Sequence, residues 1–176
     1  MKRFNAISLG LLMAASSAAF ASNNGAVVHF KGHVSEPTCT VTSGEQTVTL
    51  DTIGASEVER VSIGQAVSAG EKNFQLTLSC EESGQANHVV MQMQGMNDTK
   101  NQNILKNSAI DNGVGLEVFY KDRALQPGAF INGSRFSSMN NKGDNNLEMK
   151  VRYARLGDEV KGGDVNADVV FVTEYR

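Results

Sequence analysis

Tryptophan is absent from these 176 residues, and proline and cysteine occur only twice each. There are three histidines, His29, His33 and His88, and no spacing of histidine with cysteine matches a zinc pattern. No Ser-His-Asp spacing, glycine-rich phosphate loop or paired-acid motif is present, which argues against catalysis. Nor is there a basic stripe. Beyond the first 21 residues, 14 basic side chains face 19 acidic ones, so the formal charge of that part is −5. Such a balance excludes a nucleic-acid partner, which needs clustered lysine and arginine to neutralise phosphates. No repeat, linker or break in composition divides the chain, and no cofactor is called for.

What is present begins with an export signal. Lys2 and Arg3 precede an apolar run from Ala6 to Phe20, and Ala19-Phe20-Ala21 has the small-x-small form of a cleavage site. The run is short of the ~20 residues a membrane helix requires, and it contains two serines. Residues 1–21 are therefore expected to be removed, leaving an exported, soluble protein that starts near Ser22. In an oxidising compartment an even pair of cysteines implies one disulfide, Cys39–Cys80. A bridge closing a loop of that length contributes about 4 kcal/mol in the chain-entropy model.

The remainder alternates with period two. Phe74, Leu76, Leu78 and Cys80 share one face of a strand. Val89, Met91 and Met93 repeat the pattern, as do Val114, Leu116, Val118 and Tyr120, and then Leu147, Met149, Val151 and Tyr153. Gln46 to Leu50 alternates more briefly. Asn112-Gly113, Asn132-Gly133, Lys142-Gly143-Asp144 and Lys161-Gly162-Gly163 read as turns. Two segments resist this pattern. Gly95 to Asn112 is polar and is expected to hold a helical turn around Asn101 to Lys106; Thr52 to Gly70 is loop-like, with a short helix near Ser56. One all-β sandwich of short strands and glycine turns follows.

Two further alternating runs stand apart. Ala167, Val169, Phe171, Thr173 and Tyr175 line one face of a final strand, with nothing after Arg176 to cover its edge. A bare apolar edge is an aggregation hazard, so something outside the chain is expected to cover it. Near the other end, Ala26, Val28, Phe30, Gly32 and Val34 share one face, while Val27, His29, Lys31 and His33 share the other. An ordinary first strand of a sandwich and an arm that packs into another molecule both demand that pattern.

These features together resemble a known family. The run Val28-His29-Phe30-Lys31-Gly32-His33-Val34 before Cys39, the run Phe74 to Cys80 at the second cysteine, Val114-Gly115-Leu116, Gly163 fourteenth from the end and the penultimate Tyr175 are similar to a pilin-type subunit of a chaperone–usher pilus, close to the type 1 fimbrial major-subunit family. The likeness covers essentially the whole chain after the signal peptide. It implies an incomplete immunoglobulin-like sandwich lacking its final strand, formed by residues 35–176, behind a donor-strand extension at 22–34. Ala26, Val28, Phe30, Gly32 and Val34 would enter successive pockets of a neighbouring subunit, Gly32 where the groove is too shallow for a side chain. Gly163, Val169, Phe171, Tyr175 and Arg176 would form the groove and its contact with a periplasmic chaperone. An outer-membrane usher would then exchange the chaperone for the next subunit, building a head-to-tail fibre outside the cell that supports adhesion. The arm before Ala26 is shorter than in many such subunits, which would weaken filling of the outermost pocket or suit a minor, adaptor or terminator position. A self-contained immunoglobulin-like binding domain of the periplasm is the rival reading. Its N-terminal run would pack beside its own last strand.

Overall fold

The computed structural model describes residues 31–32, 39–84, 88–131 and 142–175. The signal segment and the Asn132-Gly133 turn lie outside them. Residues 35–176 form one compact unit, separate from residues 1–34.

The period-two runs become antiparallel strands. Those of the larger sheet are β1 (Cys39–Val41), β2 (Lys72–Cys80), β4 (Ile104–Lys106), β5 (Val114–Tyr120), β6 (Arg123–Ala124) and β8 (Gly143–Arg155). Their order is β1-β2-β8-β5-β4, with β6 paired to β5. Among the described residues the smaller sheet has three strands in the order β7-β3-β9: β7 is Phe130–Ile131, β3 is Val89–Gly95 and β9 is Val169–Tyr175. Leu76, Leu78 and Cys80 of β2, Leu116, Val118 and Tyr120 of β5 and Leu147, Met149 and Val151 of β8 point inward from the larger sheet. Val89, Met91 and Met93 of β3 face them from the smaller. Alternation works here because each sheet has one face in the core and one outside.

The expected disulfide closes at the edge of the larger sheet. Cys39 and Cys80 are direct cross-strand partners, with Cα atoms 4.1 Å apart. The expected short helix is α1, Ala55–Glu59. The helical turn expected around Asn101 to Lys106 is instead a turn followed by β4. The Asp98 carboxylate accepts from the backbone N–H groups of Lys100 and Asn101, and the Asn101 side chain accepts from that of Asn103. These side chains hold the backbone in turns that compete with helix. Ile104 and Leu105 then pair with Glu117 and Leu116, fully buried. Gly115 of β5 lies against β4 so closely that a Cβ would strike the Leu105 carbonyl and the side chains of Ile104 and Leu156. The Gln46–Leu50 run does not join a ladder, and Gly143 begins β8 rather than a separate turn. As a result β8 runs for 13 residues, longer than the alternation alone suggested. Gly113 has φ +75° as its Asn-Gly context implies, and a Cβ there would meet the Glu159 carbonyl.

One charge on the outer face is costly. Glu117 of β5 is 7% exposed and lies between Ile104 of β4 and Arg152 of β8. Burial pushes its carboxyl above the usual glutamate range, and the neighbouring Arg152 opposes that only in part. The folded chain thus holds this proton more tightly than the unfolded one. Its contribution favours the fold below the ordinary glutamate pKa and is lost as pH rises through the raised value. Glu117→Gln is therefore expected to raise the unfolding temperature by a few degrees near neutral pH, with the gain vanishing in mild acid. Arg152 keeps its ion pair with Glu71 in that variant. Melting curves across pH check this, and a gain that grows on acidification contradicts it.

Candidate functional site: an open groove beside the last strand

β9 is hydrogen-bonded to β3 along one edge, from Val89↔Tyr175 to Gly95↔Val169. Among the described residues no strand pairs with its other edge. The apolar face of β9 and of the residues leading into it is half-buried at Val165, Ala167, Val169 and Phe171, whereas Asn166, Asp168 and Val170 are exposed. Across from it runs the segment after β1, in which Val48 and Leu50 are half-buried between exposed Thr47 and Thr49. This is the Gln46–Leu50 alternation of the sequence. It has the side-chain pattern of a strand but, among the described residues, joins no ladder.

Between these walls lies a groove of about 1240 Å³. Its floor is the core face of the larger sheet, including Leu76, Leu116, Val118, Val151 and Tyr153. That volume exceeds the ~300–1,000 Å³ of small-molecule pockets. Nine apolar residues are only partly buried against the main core: Val41, Val48, Leu50, Phe74, Tyr153, Val165, Ala167, Val169 and Phe171. All nine line this one groove. Among the described residues, the incompleteness of the main core is therefore concentrated in this trough. Phe74 of β2 and Phe171 of β9 reach across it with ring centroids 6.3 Å apart.

The walls are held in place by polar links. The first wall hangs from β2. The Thr42 N–H donates to the Thr77 carbonyl at 2.9 Å, and the Gln46 amide donates to the Gln75 carbonyl at 2.9 Å. The second wall is fixed by buried Asn107. Its Nδ2 donates to the Asp164 carbonyl at 2.8 Å and to Asn112 Oδ1 at 3.0 Å; its Oδ1 accepts from the Asn166 N–H at 3.0 Å. The neighbouring Ser108 N–H donates to the Asn166 carbonyl at 2.8 Å. One amide side chain thus extends the pairing of the second wall beyond the end of β9. Sequence reasoning missed Asn107, because a side chain that satisfies distant backbone groups leaves no period.

Of the expected groove residues, Val169 and Phe171 line it. Tyr175 ends β9 opposite Val89; its side chain and all of Arg176 lie outside the described residues. Gly163 has φ +150°, a backbone conformation that favours glycine where the chain turns into the second wall. Ala26, Val28, Phe30 and Val34 lie outside the described residues, as do His29 and His33. His88 is exposed just ahead of β3. No cluster of His, Cys, Asp and Glu able to hold a metal occurs among the described residues.

This geometry defines a class of protein, a β-sandwich with an open groove beside an edge strand. Residues 28–176 match the Fimbrial protein family, and the chain is a member of it. It is 30% identical to the uncharacterized fimbrial-like protein SfmA of Escherichia coli K12, over 94% of this chain and 93% of that protein. It is also 30% identical to the type-1 fimbrial protein A chain of the same strain, over 96% and 93%. With the fimbrial subunit type 1 of Klebsiella pneumoniae the identity is 29%, over 100% and 99%. Among solved structures, a subunit of a chaperone–usher pilus analysed for rod uncoiling superposes with TM-score 0.62 at 15% identity, covering 88% of this chain and 97% of that one. The P pilus rod subunit PapA does so with TM-score 0.60 at 14% identity, covering 78% and 99%. These likenesses establish the immunoglobulin-like sandwich fold.

Proposed function

We propose that this chain is a non-catalytic structural subunit of a surface pilus, linked to its neighbours by strand donation. Residues 22–34 of one copy fill the groove of the next, and the head-to-tail contact, which does not close on itself, builds a fibre. Before assembly the groove is covered by a periplasmic chaperone, which an outer-membrane usher replaces with the next subunit. Residues 1–21 direct export. The observation that carries this reading is the gathering into one trough of the nine half-buried apolar residues packed against the main core. Val28, Phe30 and Val34 have the spacing to fill it, each contributing about 1.5–3 kcal/mol by burial.

The test is Gly32→Val. A Cβ at Gly32 meets no atom within 4 Å in the chain itself, so the variant is expected to fold and be exported normally. In a neighbour's groove the added side chain meets a floor with no room for it. Electron microscopy is expected to show absent or sharply shortened pili. Pili of normal length overturn the assignment of Gly32 to the shallow point of the groove.

A further inference from the structure

The rim of the groove is negatively charged, and the arm that would fill it is positively charged. Among the described residues lining the groove, the charged ones are Glu45 on the first wall, Asp164 and Asp168 on the second, and Lys161. The lysine is already paired with Glu159 at 3.2 Å. All three acids are exposed. Farther along β9, exposed Glu174 shares the outward face of Asp168 but is already engaged in an interaction of its own. The neighbouring outward positions of β3, Gln92 and Gln94, are uncharged, and the nearest imidazole is His88 just ahead of that strand. From Ser22 to Ser35, by contrast, the sequence has His29, Lys31 and His33 and no acid; the first is Glu36.

The period of a strand connects the two sets. An arm whose apolar residues enter the trough must turn the alternate positions, Val27, His29, Lys31 and His33, toward the rim. We propose that this acidic rim selects the basic outer face of the arm of a second copy of this chain, steering its entry and making the subunit joint salt- and pH-dependent. The inference rests on the strand-donation reading and adds to it a determinant of partner choice. Apolar pockets accept many alternating strands; a charged rim discriminates among them at the encounter. Below the ordinary histidine pKa of ~6.5 the arm gains two further positive charges, so association quickens on mild acidification.

The test uses the full-length mature chain and labelled peptides of residues 22–35, one native and one carrying His29→Gln, Lys31→Gln and His33→Gln. Raising salt from about 0.05 M to about 0.5 M is expected to slow association of the native peptide about tenfold and to leave the neutral peptide nearly unaffected. Lowering the pH from about 7.5 to about 5.5 is expected to speed only the native peptide, about threefold. Asp168→Lys in the subunit is expected to slow the native peptide, and a Lys31→Glu peptide to recover the lost rate. Equal rates and equal salt dependence for both peptides overturn the rim proposal and leave strand donation standing. Failure of both peptides to bind overturns strand donation, and the rim proposal with it.

Discussion

A peptide of residues 22–35, added in excess to the refolding mature chain, is expected to raise its midpoint of thermal unfolding by about 10 °C. The physical argument starts from where the core is unfinished. A complete sandwich has half-buried apolar side chains scattered around its margins. Here the nine that pack against the main core all line one trough, from Val41 and Leu50 on one wall to Val165 and Phe171 on the other, over a floor of Leu76, Leu116 and Val151. A strand laid there adds two kinds of stabilisation. Its alternate side chains cover the floor, and its backbone pairs with the free edge of β9. A ligand present at about a thousand times its dissociation constant stabilises by about 4 kcal/mol, and a domain of this size gains about 2–4 °C for each kcal/mol. A scrambled peptide of the same composition lacks the alternation and is expected to leave the midpoint where it was. A chain that melts at the same temperature with and without the native peptide, as a lone and stable monomer, is a finished sandwich and contradicts the proposal.

Replacing Cys39 and Cys80 together by alanine is expected to lower stability by about 4 kcal/mol, the largest effect of any substitution outside the groove. The bridge spans a sequence separation of 41 and ties down β1, an edge strand of only three residues. Both cysteines are buried, at 5% and 3% exposure, so alanine leaves no unsatisfied polar group to confuse the result. The consequence reaches the groove. Its first wall continues directly from β1, and besides the bridge and the short ladder it hangs from β2 by a few hydrogen bonds, those of Thr42 and Gln46 among them. Native domains are stable by only ~5–15 kcal/mol, and one with an open core sits toward the low end. Denaturant titration of the double variant and its yield from the periplasm measure the effect. The two assays are expected to fall together, and peptide association to slow as the first wall loosens. Unchanged stability in the reduced, alanine-substituted chain contradicts the entropic account of the bridge.

Much of the fold was legible before any coordinates. Period-two runs placed Leu76 and Leu78, Met91 and Met93, Leu116 and Val118, and Leu147 and Met149 inside, because each of these strands has one core face and no competing signal. The segment Asn101 to Lys106 was misread as a helical turn. Its short apolar pair, Ile104 and Leu105, is too brief to show a period, and its direction was decided by Asp98 and Asn101 bonding to nearby backbone. Gly115 was recognisable only by resemblance. Its reason is steric, a backbone approach to Leu105, and such a contact between distant segments leaves no mark on local pattern.

By itself, the sequence determined the alternation of the strands, the pairing of its two cysteines and the family to which the chain belongs, since these follow from spacing along one dimension. The half-buried run at Gln46–Leu50 looked like any other strand there. Only the tertiary structure decided that this run and β9 stand on opposite sides of a trough, that Asn107 pins one wall, and that acidic side chains gather on its rim. Which apolar face finds cover depends on what packs beside it in space, and periodicity along a chain carries no record of that neighbour.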